Sequence, residues 1–190
     1  MSRLAKLASG CAHQRRIDMS TFPVDETHIL VKGRFIEERL RPYYKLTGEK
    51  IEAGPLHNLE ILVLVRVPDL VIEDIEVVAG TLPRGDCYEI TGSLEQVKGM
   101  SIRRGFTANV KYLFEGVAGC THLTHLLCTM APAILQGYWA INSSKKPDIK
   151  EQRRKQDSRM ADFLRDNCYT WRRDGEAYQK MLRLLDGEDG

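Results

Sequence analysis

No apolar run in this sequence approaches the ~20 residues that a membrane-crossing helix needs, so no membrane span is expected. No secretory signal is expected at the start, because Lys6 interrupts the only short apolar stretch there. An excess of one charge is missing too. With 28 basic and 26 acidic side chains, the formal net charge of +2 offers nucleic acid no global attraction. Neither a G-x-G-x-x-G nor a Walker sequence occurs, which excludes the common nucleotide-binding loops. Internal repeats and low-complexity tracts are absent. Cysteines number only five (Cys11, Cys87, Cys120, Cys128, Cys168), scattered and without a C-x-x-C. An odd, unclustered set argues against a disulfide framework and for a reducing, cytoplasmic setting.

What is present is the composition of a globular protein. The 190 residues are 43% apolar and 28% charged, enough to bury a core without disulfide staples. Charge is distributed unevenly. Residues 1–17 hold Arg3, Lys6, Arg15 and Arg16 and no acid, and residues 145–157 hold six basic and three acidic side chains. Both stretches read as solvated tails or faces. The chain divides into an α+β domain over 1–144 and a charged linker with a helical arm over 145–190.

The first two thirds read mainly as strands. Residues 27–37 alternate Ile29, Val31 and Phe35 against Lys32 and Arg34, the pattern of a half-buried strand. Residues 59–68 are almost continuously apolar and predict a central strand covered on both faces. Residues 69–79 follow through the Pro68-Asp69 turn, which predicts a hairpin. Residues 105–116 give the cleanest alternation: Phe106, Ala108, Val110, Tyr112 and Phe114 against Thr107, Asn109 and Lys111. A short helix is expected over 93–99, with Ser93 as N-cap and Gly99 as its stop. A long helix is expected from Thr121 to about Ile141, with Leu123, Leu126, Leu127, Met130 and Ile134 as its apolar stripe. Pro132 should kink or divide it. Residues 142–148 form a linker. Two further helical patterns follow, one with Met160, Phe163, Leu164 and Cys168, the other with Tyr178, Met181, Leu182 and Leu185. Strands followed by helices predict an α+β fold: a mainly antiparallel sheet, one long packed helix and a C-terminal helical arm.

Chemistry concentrates in G-V-A-G-C-T-H-L-T-H-L-L-C, residues 116–128. With Thr121 as N-cap, Cys120 sits just before the helix, near free amide groups and the positive end of the helix dipole. Both favour the thiolate that metal binding and nucleophilic attack require. At ~100° per residue, Cys120, His122, His125 and Cys128 cannot all reach one point on a regular helix. Cys128, in the helix interior, reads as core. Closing a site therefore needs donors from elsewhere, and His57 in G-P-L-H-N-L (54–59) and Cys87 in P-R-G-D-C-Y (83–88) are available. Two cysteines and two histidines suit Zn²⁺, with iron or an iron–sulfur centre as the alternative. His13, His28, Cys11 and Cys168 have no clustering to recommend them. Asp25-Glu26 and Glu37-Glu38 read as solvated, although a carboxylate could complete a site.

Over roughly residues 15–140 the chain resembles an uncharacterised bacterial family, a domain of unknown function marked by a G-C-T-H-L motif opening a late helix. The resemblance rests on T-F-P-V-D-E (21–26), on G-P-L-H-N-L with His57, on Cys87, on G-F-T-A-N-V and on G-C-T-H-L-T-H-L-L. It implies that His57, Cys87, Cys120 and His122 act together. It also implies an acidic residue where His125 stands, which leaves His125 at most an acid–base or outer role. A looser similarity runs to iron–sulfur scaffold proteins of the NifU type, where a G-C pair also joins a strand to a helix.

The reading is a metal site of His57, Cys87, Cys120 and His122 that binds or acts on a small ligand. Two alternatives stay open. One is a metal-free enzyme acting on acyl or thioester substrates, with Cys120 as nucleophile, His122 or His57 as its base, His125 as a further acid–base group and first-turn amides holding an oxyanion. The other is an interaction module that uses the helical arm. That arm also offers a surface for self-association.

Overall fold

Alternation in two sequence-distant segments builds the centre of the fold. A computed structural model of the chain describes residues 2–144 and 158–186, with side chains described from 161 onward in the second stretch. The expected linker beyond 144, the charged stretch 145–157 and the Met160 side chain lie outside the described residues. The chain forms two compact units, residues 1–139 and 140–190.

The first unit contains β1 (His13–Pro23), β2 (His28–Arg39), β3 (Tyr43–Tyr44), β4 (Lys50–Ile51), β5 (Gly54–Arg66) and β6 (Val71–Thr81). Strands β1-β2-β5-β6 form one antiparallel sheet in that order, and β3 and β4 form a small ribbon between β2 and β5. The α+β expectation holds. Ile29, Val31 and Phe35 of β2 point inward with Leu59, Ile61, Val63 and Val65 of β5, all essentially inaccessible to solvent. Each such side chain contributes about 1.5–3 kcal/mol of burial. The 59–68 strand is central as expected, but only one of its faces is fully covered. Leu62 and Leu64 on the other face are half-buried, so the continuous apolar run overstates the burial. The β5–β6 hairpin forms as predicted, through a turn that contains a cis Val67–Pro68 bond.

Strand β1 was not legible in advance. Its Arg15 and Arg16 read as part of a basic tail, yet β1 pairs along its whole length with β2. As an edge strand it buries little, and its inward residues Ile17, Met19 and Thr21 make a weak pattern.

Residues 105–116 correct the sequence reading. They fold not as a strand but as helix α1 (Phe106–Leu113), entered from Gly105 at φ +91°. Phe106, Val110 and Phe114 are buried, whereas Tyr112 is 80% exposed and Ala108 is exposed too. Spacings of four fit both the helical and the alternating period, so the three large residues imitate a strand. Residues 91–97 form a 3-10 helix (Thr91–Val97) that Ser93 does not cap, and Gly99 at φ +83° follows its end as expected.

Helix α2 (Thr121–Asn142) is the long helix, and its five predicted stripe residues are all buried. It continues through Pro132 undivided. Pro132 lies on the exposed side, where the carbonyl it leaves unpaired can face water. Close approach to the sheet is set by glycines. A Cβ at Gly33 would meet Met130 Sδ at 2.5 Å, and one at Gly137 would meet the Thr21 side chain. Thus α2 crosses β2 and β1 with its first turn over the Phe35–Glu37 end.

In the second unit, α3 (Ser158–Leu164) and α4 (Glu176–Asp186) are joined through a 3-10 turn at Tyr169–Trp171. Ala161, Leu164 and Tyr178 are its buried hydrophobic side chains among the described residues. Cys168 precedes the 3-10 turn in extended conformation instead of continuing the helix. Among the described residues no helix is long and apolar enough to cross a membrane.

Candidate metal centre

Strand register determines which polar side chains meet. Arg15 of β1 stands opposite Glu37 of β2, and Glu37 stands opposite His57 of β5. All three point to the core side. Glu37 shares the parity of Ile29, Val31 and Phe35, and His57 that of Leu59 and Ile61, because side chains alternate along a strand. Glu37 is therefore only 5% exposed, which corrects its reading as a solvated position.

The two Glu37 oxygens have different neighbours. Oε1 accepts hydrogen bonds from Arg15 Nη2 at 2.6 Å and Nε at 3.2 Å, and His13 Nε2 lies 2.8 Å away. Oε2 faces the imidazoles: His57 Nδ1 at 2.7 Å and His122 Nε2 at 3.8 Å. Burial pushes the Glu37 carboxyl up, but hydrogen bonds from Arg15, His13 and His57 outweigh it and hold the group at about 2. The carboxylate is thus ionised at neutral pH despite its burial.

His122 comes from the first turn of α2. Its ring lies against that of His57, with centroids 4.0 Å apart and planes inclined by 35°. Phe35 borders both rings. The other nitrogen of His122, Nδ1, is 3.9 Å from Cys120 Sγ. The Thr124 amide donates to the Cys120 carbonyl, so Cys120, not Thr121, holds the N-cap position. The contact with His122 lowers the Cys120 thiol below its usual range. Burial opposes this, and the backbone amides of Leu123 and His122 add to the lowering. The thiol is thus lowered chiefly by His122 and less by the helix start, and the capping residue lies one position before Thr121.

Among the described residues, Glu37, His57 and His122 are the group of metal-capable side chains whose ligand atoms all lie within 4.8 Å of one another. The structure thus brings together His57 and His122 as the sequence suggested, and adds Glu37. Cys120 adjoins the group through His122. Cys87 lies in a separate 3-10 turn (Gly85–Tyr88) after β6 and is not in the group. His125 is exposed on another strip of α2. Cys128, expected in the core, is half-buried, its thiol 3.8 Å from the Thr107 carbonyl and pushed up by burial. The parity of residues 29–37 was the signal for Glu37, whereas nothing in the basic start of the chain marks Arg15 or His13 as its partners.

The match to a family model now decides the relationship: residues 13–136 fit the family described as proteins of unknown function, DUF2889. The chain belongs to the DUF2889 family. No curated protein and no solved structure matches it. The DUF2889 segment starts at His13 and covers the whole sheet, α1 and most of α2, so every residue around Glu37 lies within it.

Proposed function

We propose that this DUF2889 domain binds a transition metal ion through Glu37, His57 and His122, with zinc as the first candidate and iron the second. The reading is carried by three ligand atoms, from two strands and a helix, converging within 4.8 Å beneath the sheet-facing turn of α2. The donor chemistry fits. An ionised carboxylate and two imidazoles are a borderline-soft N₂O set, common to zinc hydrolase and non-haem iron centres. Arg15 and His13 act from outside by fixing Oε1, which leaves Oε2 towards the imidazoles. Glu37 takes the role that the sequence reading gave to Cys87. Cys120, at the far nitrogen of His122, is then a thiol behind that ligand, and the fourth position is left open to a small ligand. Such an ion would supply Lewis acidity towards a bound small ligand. The family's G-C-T-H-L motif, proposed from the resemblance, would place the cap and one ligand together.

The test is elemental analysis of protein purified without oxygen and without a metal-binding tag. Near-stoichiometric zinc or iron, lost in His122→Ala and kept in Cys87→Ser, is expected. A folded protein that takes up neither ion on addition overturns the reading.

A second reading is favoured by one specific geometry. Cys120 Sγ, His122 Nδ1 and Nε2, and Glu37 Oε2 lie in sequence at 3.9 and 3.8 Å, the order nucleophile, base, orienting carboxylate. A cysteine enzyme acting on acyl or thioester substrates would use this array without metal. Cys120→Ser separates the two: it would abolish acyl transfer but spare most of the metal content.

A further inference from the structure

The α1–α2 packing leaves a cleft of about 530 Å³ on a different strip of α2 from His122, within the size range of small-molecule sites. Lys111, Phe114 and Glu115 line it from the α1 side, and Thr121, Thr124 and His125 from α2. The Thr129 hydroxyl and the Cys128 thiol at its edge donate to backbone carbonyls, but several other polar groups are not consumed by the fold. Lys111, Glu115 and the His125 ring make no ion pair or side-chain hydrogen bond among the described residues. The Thr124 hydroxyl is buried with no partner. A buried hydroxyl without a partner costs about 1–3 kcal/mol, and a change of χ1 rotamer that brought it to a ligand acceptor in the cleft would remove that cost.

We propose that this cleft binds a small monocarboxylate with an apolar body. The carboxylate lies at the Lys111 ammonium and accepts from the Thr121 and Thr124 hydroxyls, and the body rests on Phe114 and the threonine methyls. The positive end of α2 begins at the same place, through Thr121. Glu115 selects against higher charge, because its carboxylate repels a phosphate dianion more than a single carboxylate. The site does not depend on a metal at Glu37, His57 and His122, since none of those residues lines it.

Benzoate is the probe, titrated into the ¹⁵N-labelled full chain and followed through amide shifts. Saturable shifts confined to residues 107–129 are expected. Lys111→Met, an exposed substitution, should weaken binding by about tenfold or more, and Glu115→Gln should tighten it several-fold. The same titration on EDTA-dialysed protein should be unchanged, which separates this site from the metal reading. No saturable shift up to about 10 mM overturns the proposal, and so does equal binding of benzylammonium, tighter binding of inorganic phosphate, or indifference to Lys111→Met.

Discussion

Glu37 and His57 stand directly across from one another on β2 and β5, and the carboxylate and imidazole meet at 2.7 Å in the core-facing layer. An ionised group in such a position is stable because Arg15 and His13 hold its other oxygen while His57 holds this one. Replacing Glu37 by glutamine keeps the shape and removes the charge. The expected loss is about 2–3 kcal/mol in urea denaturation, since two histidines and an arginine lose their common acceptor. A change below about 0.5 kcal/mol would mean that the cluster does not hold the fold.

The same carboxylate imposes a pH dependence of known sign. Its folded pKa is depressed from 4.5 to about 2, so its contribution is complete above the unfolded value and disappears as pH falls from about 4.5 towards 2. Solvent screening at half-exposed Arg15 and His13 limits the contribution to roughly 2 kcal/mol. The wild-type stability curve should fall more steeply than that of Glu37→Gln in this window, measured by chemical denaturation at fixed ionic strength.

The thiols should differ in reactivity. Cys120 is lowered by His122 and two amides, whereas Cys128 is raised by burial. In metal-free protein, iodoacetamide at neutral pH should label Cys120 faster than Cys128, read by peptide mass spectrometry. His122→Ala should slow Cys120 by about tenfold. Equal rates for the two cysteines would contradict the geometry.

Helix α1 can be tested through its two kinds of position. Val110→Ala should cost about 1–2 kcal/mol, because Val110 is fully buried, and Tyr112→Ala should stay within about 0.5 kcal/mol. A strand at 105–116 would place both residues on one face and make both substitutions costly.

The sequence made β2, the β5–β6 hairpin and α2 legible, because one periodicity in each is long and unambiguous. It misled at α1, where residues four apart satisfy two periods at once. Two of the three residues in the Glu37, His57 and His122 group were visible, as His57 and His122. Glu37 was visible only to strict parity, since the charge itself suggested solvent. Arg15 was hidden for a different reason: an edge strand with little burial leaves almost no pattern, and its pairing depends on a partner 22 residues away. Pairing of that kind is a property of register.

The placement of Glu37 also bears on how the edge of the sheet chooses its alignment. Strand β1 offers few buried side chains to specify where it should sit along β2. A slip of one residue would turn Arg15 and His13 to the outer face and leave Oε1 of an ionised carboxylate without its donors. That misaligned state is penalised far more than the loss of Ile17 or Met19 contacts alone would suggest. The polar cluster thus serves as a proofreading device for strand assembly, whatever chemistry it performs once the strand is home.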